Sequence, residues 1–154
     1  MNPITYFALL FTSATWLWPN DAIKTTNAPQ PAFDCPSHYD TSVKMDVYTD
    51  VQMQAEYPGG EAPWGRYVNR NFRQENAGEV KDCTVKIKLV ITEAGEIRKV
   101  VALHGNTEVK EPSDLEKEVI RIFKKSGRWT PAVCNGRQVT SELIKTMSPC
   151  SVEQ

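Results

Sequence analysis

The chain has no pair of cysteines at the Cys-x-x-Cys spacing; its four cysteines stand far apart, at 35, 83, 134 and 150. That absence removes zinc-ribbon and thioredoxin-like readings. Histidine is scarce: only His38 and His104 occur, neither beside a cysteine or carboxylate at ligand spacing, so no metal site is expected. No glycine-rich phosphate loop exists, because Gly59-Gly60 runs into Glu61-Ala62 rather than into Gly-Lys-Ser/Thr. Nothing pairs a serine with a histidine and an aspartate in the manner of a hydrolase, and Ser113 is better placed as a helix cap than as a nucleophile. Charge of one sign is also lacking. Eighteen Lys and Arg against 19 Asp and Glu leave a net charge of −1, with no basic excess for nucleic acid and no acidic excess for a disordered tail. These gaps together predict a protein that is not an enzyme and holds no cofactor, with proteins or small molecules rather than nucleic acid as its partners.

A long apolar run is missing too. Residues 4–18, ITYFALLFTSATWLW, carry no charge. As a helix such a run spans roughly 22 Å, short of the ~30 Å hydrocarbon core. The length fits a signal-peptide core at residues 1–18, with small residues near Ala14 and Ala22 as cleavage positions, or else a short membrane anchor, or a mispredicted start or buried segment. The first two place the rest of the chain outside the cytoplasm, in the periplasm or beyond it. Widely spaced cysteines in even number then predict disulfides.

Residues 19–54 contain Pro19, Pro29, Pro31 and Pro36 among polar residues and read as linker, with Met45, Val47, Val51 and Met53 hinting at one short strand. A compact domain is expected over residues 55–150, followed by a tail at 151–154. It opens on Tyr57-Pro58-Gly59-Gly60, a turn. Trp64, Val68 and Phe72 follow at helical spacing, with Pro63 tolerated in the first turn and Arg66, Arg70 and Arg73 on the solvated side. Residues 83–92, CTVKIKLVIT, alternate apolar and polar side chains. They meet a second arm at 97–105 through the turn Glu93-Ala94-Gly95-Glu96, which makes a hairpin. A helix follows Pro112. Ser113 and Glu116 form a capping box, while Leu115, Val119, Ile122 and Phe123 make the buried stripe. Asp114, Glu116 and Glu118 suit the helix N-terminus, Lys124 and Lys125 its last turn, and Gly127 its end. Asn135-Gly136 marks a turn, and residues 139–147 read as a last strand stopped by Pro149.

Helix, strand, strand, helix, strand predicts an α+β fold in two layers. The expected sheet has three strands, antiparallel in type, in the order 2-1-3, with helices covering one face. The last strand is left as an edge. Its two faces, Val139, Ser141, Leu143 and Lys145 on one and Thr140, Glu142 and Ile144 on the other, are the candidate partner-binding residues. Antiparallel neighbours bring Cys83, at the start of the first strand, close to Cys150, just past the end of the third. The favoured bridges are therefore Cys83 with Cys150 and Cys35 with Cys134.

The motifs YPGGEAPWGRYVNRNF, VKIKLVITEAGEIRKVVAL and DLEKEVIRIFKKSGRWTPAVCNGRQV, spread over about residues 55–150, resemble the TonB C-terminal domain in the form common in Bacteroidetes-type energy transducers. The most specific piece is Trp129-Thr130-Pro131-Ala132 through Asn135-Gly136 to Val139. The resemblance implies a domain at the end of a periplasmic arm. Its last strand would pair with the TonB box, an extended segment of TonB-dependent outer-membrane receptors, and pull on it to drive import. An uncleaved N-terminus would imply inner-membrane motor partners. The alternative is a secreted or periplasmic interaction module that uses the same edge without a motor.

Overall fold

The structure, a computed structural model, describes residues 32–78 and 83–149. The apolar segment at 1–18, Cys150 and the tail at 151–154 lie outside these residues. No helix among the described residues is long and apolar enough to cross a membrane.

The elements run β1 (Ser37–Asp40), β2 (Met45–Tyr48), α1 (Glu61–Asn71), β3 (Val85–Ile91), β4 (Ile97–His104), β5 (Thr107–Glu108), α2 (Asp114–Lys124), β6 (Ala132–Cys134), β7 (Arg137–Val139) and β8 (Ser141–Met147). The class is α+β. The expected order holds for the three long strands, with β3 between β4 and β8 and antiparallel to both. The expected size does not. The sheet has six strands, in the order β1-β2-β8-β3-β4-β5, and a separate two-stranded sheet joins β6 to β7. The extra strands come from two sources. β5 is only two residues folding back on the end of β4. β1 and β2 come from residues 37–48, inside the stretch that reads as linker; β2 coincides with the start of the short strand at which Met45 and Val47 hint, whereas Val51 and Met53 lie beyond it and the sequence of β1, SHYD, shows no alternation.

Each main element has a local cause. Residues 85–91 bury Val85, Ile87, Leu89 and Ile91 toward the helices. Val90, on the other face, is nonetheless 1% exposed. Lys99, its register partner on β4, reaches Asp40 at 3.6 Å. The end of β1 therefore lies near this face, on which Val90 is buried. At the β3–β4 turn Gly95 has φ +77, and a Cβ there would stand 2.0 Å from the carbonyl oxygen of Trp129. Gly95 is needed because Trp129 N–H donates to its carbonyl at 2.8 Å, which closes the hairpin against the chain after α2.

α2 begins as its sequence predicts. Ser113 Oγ accepts from the Glu116 amide at 3.3 Å, and the Glu116 carboxylate accepts from the Ser113 amide at 2.7 Å. Glu118 does more than complement a helix dipole. It is 3% exposed, and its carboxylate accepts from Arg121, from the Asn76 side chain at 3.1 Å and from the Arg73 amide at 3.0 Å. Arg121 in turn donates to the carbonyl of Asn71 at the end of α1. The Arg121 guanidinium holds the Glu118 carboxyl at about 2, against the opposing effect of burial.

The turn before α1 serves an aromatic cluster. Gly60, at φ 84, is the N-cap of α1, and the turn folds Tyr57 back on the helix. Tyr57 lies 5.3 Å from Trp64, 5.5 Å from Tyr67 and 5.9 Å from Trp129 between ring centroids, and Trp64 stacks on Phe123 of α2 at 4.7 Å. Tyr-Pro-Gly-Gly thus positions core aromatics. Trp129 Nε1 is satisfied by Ser126 Oγ at 2.8 Å.

Candidate functional site

The last strand is shorter than its sequence pattern implies. Val139 belongs to β7 and pairs with Ala132 across the Asn135-Gly136 turn. Thr140 separates the two strands, and β8 starts at Ser141. A continuous period of two hides this change of sheet, since nothing in the side-chain pattern marks Thr140.

On its inner side β8 pairs with β3 throughout, from Ser141 opposite Ile91 to Met147 opposite Val85. The last strand is not the edge expected from its sequence: β2, from residues that read as linker, lies on its outer side and pairs with it at one position, Tyr48 opposite Ser141, in parallel, and the Tyr48 amide donates to the Thr140 carbonyl at 2.9 Å. Among the described residues no strand pairs with the outer side beyond Ser141. Residues two apart on a strand direct their backbone groups to the same side. Because Thr140 points its carbonyl outward, Glu142, Ile144 and Thr146 also present their backbone groups to the outer edge. Ser141, Leu143, Lys145 and Met147 serve β3. The parallel bridge at Ser141 takes the Glu142 N–H to the Tyr48 carbonyl, so the vacant lane runs from the Glu142 carbonyl to Met147, about 17 Å at ~3.4 Å per residue, room for a visiting strand of about five residues.

The side chains divide accordingly. Leu143 and Met147 pack against the helix-side core, and Lys145 on the same face pairs with Glu61 at the start of α1. Ile144, 47% exposed, lies on the opposite face with Glu142 and Thr146. Ser141 is fully buried, and its Oγ has no hydrogen-bond partner among the described residues.

Two hollows flank the lane on the helix side. The first, about 450 Å³, opens between β8 and residues 53–57, over Trp129, Pro131 and Val133. Its far wall exists because residues 53–56 run antiparallel to 130–133: Met53 and Val133 exchange both backbone bonds, as do Glu56 and Thr130. The second, about 200 Å³, lies between Trp64 and Val68 of α1 and the end of β8 at Thr146 and Met147. Glu61 and Lys145 line both hollows, so their ion pair stands between them. Met53, 64% exposed, presents a large apolar side chain at the first hollow.

A disulfide fastens the N-terminal part of this framework. Cys35 is bonded to Cys134 in β6, with Cα atoms 6.4 Å apart and a sequence separation of 99. This is one of the two expected pairings. The same junction is reinforced by Asn135, whose side chain exchanges bonds of 2.9 Å with both backbone groups of Phe33, and by Gln52, which accepts from the Asn135 amide. Cys83 is disulfide-bonded, and Cys150 lies outside the described residues.

The two histidines are placed apart. His38 is in β1, whereas His104 ends β4 and meets Glu116 at 2.9 Å. Among the described residues no three of His, Cys, Asp or Glu are grouped to hold a metal ion. Neither wall of the groove was legible in the sequence. Glu61 and Lys145 are 84 residues apart, and the pairing of residues 53–56 with 130–133 joins segments without a shared pattern. Set against family models, curated proteins and solved structures, the chain matches none.

Proposed function

We propose that this is a TonB-like exported protein that couples to TonB-dependent outer-membrane transport by taking the TonB box of a receptor as an added strand on the outer edge of β8. The observation that carries the reading is the vacant lane beside residues 142–147, flanked by hollows that a visitor's alternate side chains would enter. Strand addition draws affinity from main-chain hydrogen bonds and specificity from pockets for every second side chain. Ile144 and Thr146 supply the first, and the hollows beside Leu143 and Met147 supply the second. The disulfide agrees with an oxidising compartment.

Amide NMR of the labelled protein during titration with a synthetic TonB-box peptide tests the proposal. The expected result is slowed exchange and shifted resonances at Ile144 and Thr146. Unchanged β8 amides at saturating peptide, or changes confined to other strands, would remove β8 as the docking strand.

A further inference from the structure

The opposite end of the sheet carries a second groove that the β8 reading does not use. β5 pairs with β4 only at Leu103 and His104, and Val109 then donates its amide to the Ala102 carbonyl at 2.9 Å. Beyond Ala102 no strand covers the outer side of β4 among the described residues. By the same alternation, Val100 directs its N–H and C=O into the open lane. The lane lies at the foot of α2, and the space between them is a hollow of about 530 Å³.

Its lining has two parts. The floor is apolar, made by Val100, Ala102, Val109 and Ile120. The remaining lining includes five cations, Lys110, Lys117, Arg121, Lys124 and Lys125, and no carboxylate. Lys117 is paired with Asp114 and Arg121 with Glu118. Lys110, Lys124 and Lys125 form no ion pair among the described residues, which leaves three uncompensated positive charges around an apolar trough with a free strand edge in it.

We propose that this groove is a second docking site, for an extended acidic peptide whose alternate residues are apolar. Backbone groups of the peptide pair with Val100, its apolar side chains sit on Val109 and Ile120, and its carboxylates meet Lys110, Lys124 and Lys125. The free main-chain edge favours a peptide over an anionic membrane surface, because lipid headgroups have no strand to add. The site is independent of the β8 edge, which lies on the other side of β3.

The test uses the full chain and three probes: a fluorescein-labelled octapeptide of alternating Glu and Val, its Lys-Val counterpart, and phosphatidylglycerol vesicles. The expected result is anisotropy-detected binding of the Glu-Val peptide alone, weakening with salt. The double variant K124E/K125E should bind it about tenfold or more weakly, since two exposed charges each act with about 1 kcal/mol at contact distance. Both lysines are solvent-facing, so the variant keeps the fold, and amide NMR should show the Val100 resonance shifting in the wild type. Equal binding of the Lys-Val peptide, unchanged affinity in K124E/K125E, a silent Val100 amide, or binding to vesicles without binding to the peptide would each overturn the proposal.

Discussion

Replacing Ile144 by proline separates folding from docking at the β8 edge. The Ile144 N–H faces the open lane, so proline at this position deletes no bond to β3; those bonds belong to Leu143 and Lys145. Proline is admitted on an edge strand when its missing N–H faces outward. With the side chain already 47% exposed, the loss of packing and the restricted φ should cost the fold only about 1 kcal/mol. The visitor loses more. One backbone hydrogen bond disappears, worth about 1 kcal/mol, and the peptide carbonyl that it satisfied is left unpaired at a further cost of about 1–3 kcal/mol. A total of about 2–4 kcal/mol corresponds to roughly 30-fold weaker binding or worse. Calorimetric titration with the TonB-box peptide, beside thermal unfolding of the same samples, reads both quantities. Lys145→Pro is the control. Its amide serves β3, so this variant should lose about 3 kcal/mol of stability. A folded I144P that binds within a factor of three of the wild type would refute strand addition here. If I144P unfolds while K145P does not, the assigned alternation along β8 is reversed.

Three other outcomes follow from the packing. Glu118 titrates near 2 in the folded protein against 4.5 as its ordinary value, so its contribution is complete above pH 4.5 and is lost as pH falls toward 2. The shift corresponds to about 3 kcal/mol. Chemical denaturation should show stability falling by about that much more in the wild type than in Glu118→Gln over this window, with Asp40, held at about 2 chiefly by the Ser42 hydroxyl, adding the same slope to both; parallel curves would contradict the role given to Glu118. Gly95→Ala forces a Cβ onto the Trp129 carbonyl at positive φ, and should cost at least about 2 kcal/mol in urea unfolding, whereas a neutral result would mean that the hairpin turn yields easily. Ser141→Ala removes a buried hydroxyl without a partner, and should leave the melting temperature equal or higher; a clear drop would point to a hydrogen bond made through bound water.

The parts of the fold legible in the sequence are those whose cause is local. The β3–β4 hairpin announces itself by period two, and α2 by Ser113, Glu116 and its apolar stripe. The order of β4, β3 and β8 follows from connection rules. What escaped depends on distant partners. Residues 37–48 pair with each other as a hairpin, Ser37 opposite Tyr48 to Asp40 opposite Met45; Met45 and Val47 hinted at one of its strands, but neither β1 nor the place of the hairpin beside Ser141 and Lys99 could be read locally. The break at Thr140 escaped because Val139 takes Ala132 as its partner while Ser141 takes Ile91. Glu118 read as a helix-start carboxylate because Asn76 and Arg73 are more than 40 residues away. For the candidate site, the two faces of the last strand were readable in the alternation of residues 139–147, but its place was not: it was expected at the edge and lies between β2 and β3, because residues 45–48 come to pair with it at Ser141. The hollows beside it were not readable either, since Met53, Glu61 and Trp129 are brought to β8 by long-range pairing.

The crosslink from Cys35 to Cys134 has a mechanical meaning. Tension entering from the N-terminal side arrives at Cys35, crosses the sulfur bridge to β6, and passes through β7 and Thr140 into β8. The covalent shortcut bypasses everything between residues 35 and 134, so α1, the β3–β5 strands and α2 are not in series with the load. Under the proposed strand addition, a tug on the peptide would run along the backbone of β8 itself, leaving the β3–β8 ladder and the hydrophobic core behind it outside the load path.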